Sequence, residues 1–190
     1  MSGYFGGWNT GNMSSDQKAV QSFASGKANT IESVVQNPGP AVWTNQQFRS
    51  NSAHSKILIL VLAFNRPIDL LTGKKIDTGD ALHHGNTKEF HHFFPRDYLV
   101  KNRGVTPRKA NLLANFIMLT AASNKRITNR APCDYLKDVK VALGDRLSEA
   151  LAANLISTTA FEAALADDYD AFLSERSKTI DKAVSQLTGW

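Results

Sequence analysis

The chain has 190 residues, is 42% hydrophobic and carries a formal net charge of +5, enough apolar material for one core of ordinary size. Its single cysteine, Cys133, excludes an intramolecular disulfide and a cysteine-based zinc site, and suits a reducing cytoplasm. The longest apolar run, residues 57–64, falls short of the roughly 20 residues a membrane helix needs, and the opening MSGYFGGWNTGN lacks the basic-then-apolar order of a secretion signal. A cytoplasmic protein with no membrane partner is expected.

After an irregular opening to about Asn12, Ser14 or Ser15 is expected to cap a helix through QKAVQSFAS that Gly26 ends. A serine hydroxyl there accepts from an otherwise unpaired backbone N–H. NTIESVVQN reads as a second short helix, broken at Pro38-Gly39-Pro40. SKILILVLAFNRP has no strand-like alternation and is long enough for a buried helix that ends before Pro67. Gly73 and Gly79 mark turns in DLLTGKKIDTGD, with at most a short strand between them.

Beyond residue 130 the pattern is plainly helical. Pro132 suits the first turn of a helix APCDYLKDVKVAL stopped by Gly144. Helices follow at DRLSEALAANLIS, TTAFEAALAD and DYDAFLSERSKTIDKAVSQL. In the last, Tyr169, Phe172, Leu173, Ile180, Val184 and Leu187 form one apolar stripe, which core packing explains better than a partner. The expected fold is mainly α with a small two-stranded insertion. It would be one domain over 1–190, with helical support in 1–85, the inserted core in 86–130 and C-terminal helices in 131–190.

Positive charge gathers at the insertion. Residues 85–140 hold eleven Lys and Arg against four Asp and Glu, a local net of +7, so the rest of the chain sums to −2. Such concentration is the footprint expected where a polyanion is held. Within it, KEFHHFF has the aromatic content of a strand and Pro95 ends it. Neighbouring strand side chains point to opposite faces, so His91 and His92 can serve one site only at the strand's end, one on a metal and one on a water. NFIMLT is a partner strand for a hairpin, and Thr120 then caps a short helix AASNKRIT that carries Asn124 beside Lys125 and Arg126. His83 and His84 lie in a loop without Pro or Asn partners. His54 reads as a surface residue near a helix start. Asn111 and Asn129 compete with Asn115 and Asn124, but one precedes the strand and the other falls on a different helix face.

Strand, strand and helix carrying His-His-x-x-Pro, then Asn, eight residues, Asn and Lys, resembles the ββα-metal (HNH) nucleases. More narrowly, EFHHFFPRDYL with NLLANFIMLTAASNKRITNRAPCDYL resembles the C-terminal HNH domain of the GmrSD-type modification-dependent restriction enzymes of bacteria. The resemblance covers about residues 86–136, and more weakly FLSERSKTI near the end. It implies a metal-dependent endonuclease that nicks DNA, the effector of a restriction system against phage or foreign DNA. His92 would be the general base, and His91 and Asn124 would hold one divalent cation. Asn115 would brace the loop that orients His92. Lys125, Arg126 and Arg130 would contact phosphates, with Arg96, Lys101, Arg103, Arg108 and Lys109 extending the track. Many such sites have Asp where His91 stands. An imidazole there favours manganese, nickel or zinc, although magnesium is the first choice by abundance. Family members carry a large N-terminal module that binds nucleotide and senses modified DNA. No Walker-type loop occurs here, so the chain is expected to be the C-terminal part of a longer protein. Two other readings stand beside the nuclease: a DNA-binding module that does not cut, and a metal-dependent phosphoesterase acting on small nucleotides.

Overall fold

The computed structural model describes residues 10–27, 39–79 and 90–188. They are mainly helical with one two-stranded antiparallel sheet. Contacts group the chain into two compact units, 1–39 and 40–190. Among the described residues no helix is long and apolar enough to cross a membrane. The helix expected over NTIESVVQN, His83, His84 and residues 80–89 lie outside the described residues.

In the first unit, α1 (Thr10–Ala24) starts ahead of both serines proposed as its cap. Ser14 and Ser15 sit inside the helix, where preceding turns already supply the backbone partners a cap would replace. Gly26 comes next at φ 70°, a left-handed conformation that glycine adopts without a Cβ clash.

The second unit begins with α2 (Ala41–Asn45) and α3 (Ala53–Phe64). Ser52 caps α3 by accepting from the Ser55 N–H at 3.1 Å. The helix buries Leu58, Val61 and Leu62 but leaves Leu60 and Phe64 exposed, so it is apolar on both faces while buried on one. A tight reversal comes after it, closed by an isolated bridge between Ile68 and Lys75 and by Gly73 at φ 67°. Next come β1 (Phe90–His92), α4 (Arg96–Arg103), α5 (Pro107–Ala110), a 3-10 turn at Leu113–Asn115, β2 (Phe116–Met118) and α6 (Ala121–Ile127). The strands pair antiparallel, with Phe90 opposite Met118, His91 opposite Ile117 and His92 opposite Phe116. They are not a tight hairpin, because α4 and α5 lie between them. The chain finishes with α7 (Pro132–Leu143), α8 (Leu147–Ala153), α9 (Thr158–Leu165) and α10 (Tyr169–Thr188).

The stripe on α10 packs under the insertion. Phe172 stacks on Phe93 with centroids 4.5 Å apart and lies 5.1 Å from Phe94, while Tyr169 lies 5.0 Å from Phe94. Leu187 is 45% exposed, so the buried stripe stops at Val184. Buried polar groups tie these layers together. Asp69 is fully buried in the reversal after α3. One of its oxygens accepts from the Leu71 and Thr72 N–H groups at 3.0 Å each and from the Ser123 hydroxyl at 2.7 Å. The other accepts from the Thr120 N–H at 3.0 Å and its hydroxyl at 2.7 Å. Burial alone would raise its pKa. The hydrogen bonds from Ser123, Thr120 and Leu71 outweigh that and hold the carboxyl below its usual value.

Arg176, also fully buried, donates to the carbonyls of Ala114 at 2.7 Å and Asn154 at 3.3 Å. Burial pushes its pKa down to about 9, so it keeps its charge at neutral pH. Asn154 in turn donates to the Ile68 carbonyl at 2.7 Å. The reversal, α8, α10 and the 3-10 turn are thus joined through polar side chains inside the core.

Asp69→Asn would turn an NH2 group toward hydrogen-bond donors whichever way the amide is placed. It should cost about 3 kcal/mol at neutral pH, read as a lower urea midpoint. Because the folded pKa is depressed, the wild-type advantage is full above the ordinary aspartate value of about 3.9 and is lost as pH falls through the folded value. The two unfolding curves should therefore converge in acid. A gap that stays constant down to the acid transition would remove Asp69 as the cause.

Candidate functional site

A three-residue strand gives little purchase, so the position of the histidines depends on the three residues after them. Phe93, Phe94 and Pro95 are buried, and their backbone is held from several sides. The Phe93 N–H donates to the Asn115 carbonyl at 2.7 Å, and the Tyr135 hydroxyl donates to the Phe93 carbonyl at 2.8 Å. Burial raises the Tyr135 pKa well above the usual phenol value, which keeps that donor protonated. Asn115 does more. Its Oδ1 accepts from the Phe94 N–H at 2.8 Å, and its Nδ2 donates to the Phe94 carbonyl at 3.0 Å and the Ala110 carbonyl at 2.9 Å. One fully buried amide therefore fastens the end of β1 to the start of β2 and to α5.

His91 and His92 occupy adjacent positions in β1, and strand alternation sends their rings to opposite faces of the ribbon. The His92 ring meets its cross-strand neighbour Phe116 at 4.3 Å between centroids, and its Nε2 lies 3.1 Å from Asn111 Oδ1. Burial is the largest influence on its pKa and lowers it. The Asn111 hydrogen bond opposes, and charge on Arg96 and His91 adds to the lowering. The net effect holds the ring below the usual histidine value, neutral at pH 7.

Asn124 lies in the middle of α6 and is half-buried. Its helix begins at Thr120, whose hydroxyl accepts from the Ser123 N–H at 3.3 Å and donates to Asp69. Among the described residues no group of three or more His, Cys, Asp and Glu is gathered as a metal cluster. The expected metal set does not require one, since it consists of one imidazole and one amide oxygen.

The expected phosphate track divides. Arg96 and Lys101 both pair with Asp97, at 3.7 and 2.8 Å. Arg130 pairs with Asp138 at 2.7 Å and Lys109 with Asp170 at 2.5 Å. Arg103 pairs with Asp167, which also accepts from the Tyr98 hydroxyl. Lys125, Arg126 and Arg108 are exposed and form no ion pair among the described residues. His54 sits in the first turn of α3 and is half-buried, and Asn129 is exposed beyond the end of α6.

The sequence pattern sets Asn111 aside as lying before the strand, yet it is the residue on His92. Asp69, Tyr135 and Arg176 carry no mark in it either. FLSERSKTI, matched on weaker likeness, contains Arg176, whose guanidinium supports the turn that carries Asn115. No local signal links Asn111 to His92 or Asp69 to Thr120, because these partners are 19 and 51 residues apart.

Asn115→Ala would strand three buried backbone groups, the N–H and carbonyl of Phe94 and the carbonyl of Ala110. A loss of about 2–4 kcal/mol is expected, measured by urea unfolding; a loss within error of zero would mean the loop is held without it. No family model, curated protein or solved structure matches the chain.

Proposed function

We propose that the chain is a metal-dependent HNH-type DNA endonuclease that nicks one strand, the effector part of a restriction system against phage or foreign DNA. The observation that carries the reading is the clamp of Asn115 on the peptide groups following His92, set between two antiparallel strands that lead into the helix bearing Asn124. That arrangement holds an imidazole at the end of β1, and the helix that follows β2 carries Asn124 with Lys125 and Arg126, the residue types in the order that a metal- and phosphate-binding site of this kind needs.

His91 and Asn124 would hold a single divalent cation. Their donor chemistry suits one, with an imidazole nitrogen and an amide oxygen leaving the remaining positions to phosphate and water. Magnesium is the first choice by abundance, and because both donors are neutral, manganese, nickel and zinc are the alternatives their chemistry favours. When bound, the cation supplies charge neutralisation for the phosphate as it becomes pentacovalent. His92, neutral at pH 7, takes the proton from the water as its oxygen bonds to phosphorus and the bond to the 3′ oxygen breaks. Lys125 and Arg126 hold neighbouring phosphates, and Arg108 extends the contact. Asn115 touches no reacting atom and keeps His92 in place.

Plasmid nicking tests this directly, in manganese, nickel, zinc or magnesium and with chelator. Wild-type protein should nick with at least one metal and lose the activity to chelator. His92→Ala should lower the rate at least about 100-fold while remaining folded and still binding DNA. Binding without cutting under every metal would favour a DNA-binding module, and turnover of a small phosphodiester without nicking would favour a phosphoesterase. A single site cuts a single strand, so clean double-strand breaks at dilutions where the protein is monomeric would count against the reading.

The cations make a separate claim. Replacing both Lys125 and Arg126 with Ala should weaken DNA binding evenly across sequences and reduce the slope of log affinity against log salt by about 2. The Lys101→Ala variant, whose cation is already paired with Asp97, should change that slope much less. Equal effects from the two would place the phosphate path elsewhere.

A further inference from the structure

Two nitrogens of His92 could act on a water or an ion, and the surroundings of the ring distinguish them. The Asn111 Nδ2 lies 2.9 Å from the Phe48 carbonyl oxygen. A carbonyl only accepts, so the NH2 group of the amide must be the end that faces it. The amide oxygen is therefore the end that faces His92 Nε2 at 3.1 Å. That oxygen also only accepts, so Nε2 must carry the hydrogen, and in a neutral imidazole Nδ1 is then the bare nitrogen.

Turning the amide over would set two acceptors against each other at Phe48, and the backbone opposes any other escape. The Phe48 N–H donates to the Asn111 carbonyl at 2.9 Å, so the two residues are bonded twice. The Phe48 ring stacks on Phe116 at 4.2 Å with 16° between planes, and Phe116 meets the His92 ring. Among the described residues the His92 ring makes no second hydrogen bond.

We propose that Asn111 is a positioning residue that holds His92 in the tautomer protonated on Nε2, so that His92 meets its water or ion through Nδ1. The functional half of this rests on the nuclease reading; the tautomer does not. A purely structural Asn111 would hold the Phe48 segment in place and leave the tautomer of His92 untouched.

The test is a long-range proton–nitrogen correlation spectrum of the full 15N-labelled chain at pH 8, with the His92 signals identified by their loss in His92→Gln. In wild-type protein Nε2 should show the shift of a protonated ring nitrogen and Nδ1 that of a bare one. In Asn111→Ala the tautomers should exchange and the two shifts move toward each other, with nicking down about 10- to 100-fold. A wild-type ring protonated on Nδ1 overturns the proposal. So does a folded Asn111→Ala protein with the wild-type ring spectrum or with undiminished nicking. If that variant does not fold, the wild-type spectrum decides alone. Absence of nicking in wild-type protein would count against the nuclease reading, and the ring spectrum would still decide the tautomer.

Discussion

The amide of Asn115 occupies a position that three-residue strands cannot do without. Cross-strand pairs contribute roughly 0.2–1 kcal/mol each, so the three pairs between β1 and β2 would not by themselves fix a histidine at the end of a strand. Full burial of a phenylalanine is worth about 1.5–3 kcal/mol, and Phe93 and Phe94 both have it, against Phe172 and Tyr169 of α10. Burying those rings drags the intervening peptide groups out of water, where each needs a partner. Asn115 supplies both partners for Phe94, and the Asn115 carbonyl and Tyr135 hydroxyl supply those for Phe93. Hydrophobic burial thus sets the energy of the loop, and hydrogen bonding sets its position.

Asp69 plays the matching part for α6. Seven residues are too few for a helix to stand alone in water, and the cap from Thr120 is a single bond at 3.3 Å. The carboxylate fixes Thr120 through its N–H and hydroxyl and Ser123 through its hydroxyl, while its remaining bonds hold the reversal at Leu71 and Thr72. Five donors around one buried carboxylate explain how the charge is tolerated there. The geometry of Asn124 therefore depends on a residue with no place in the local motif.

Much of the helical framework was legible because its signals are local: Pro132 and Gly144 bound α7, and the spacing of Tyr169, Phe172, Leu173, Ile180 and Val184 marks the buried face of α10. Helix α4 carries local signals as well. Asp97 lies in its first turn, Lys101 pairs with Asp97 across one turn, and Gly104 ends it at φ 64°, but the aromatic run before Pro95 points to a strand and a hairpin and masks the helix beyond it. His91, His92, Asn115 and Asn124 could be singled out as a spaced set. Asn111 could not, because its pairing with His92 depends on residues 46–48 running beside residues 111–113. Arg176 was hidden for another reason: an arginine inside SERSK reads as solvated surface, and only the packed fold shows that it points inward to Ala114.

The charge count over residues 85–140 also shows where a window misleads. Asp167 and Asp170 lie outside it in sequence, yet in space they sit on Arg103 and Lys109. With those two answered from α10 and its approach, and Arg96, Lys101 and Arg130 answered from within the window, the long basic track contracts. Beside Asn124 there remain Lys125 and Arg126 in the last turn of α6. Cations there also suit the negative end of the helix dipole, so their presence alone does not require a polyanion. The anchoring of their helix is the more telling property. The helix that carries them is fastened at its start by Asp69, so its backbone sets where Asn124, Lys125 and Arg126 begin. The two exposed cations, without an ion pair among the described residues, keep side-chain freedom that any anionic partner would have to order.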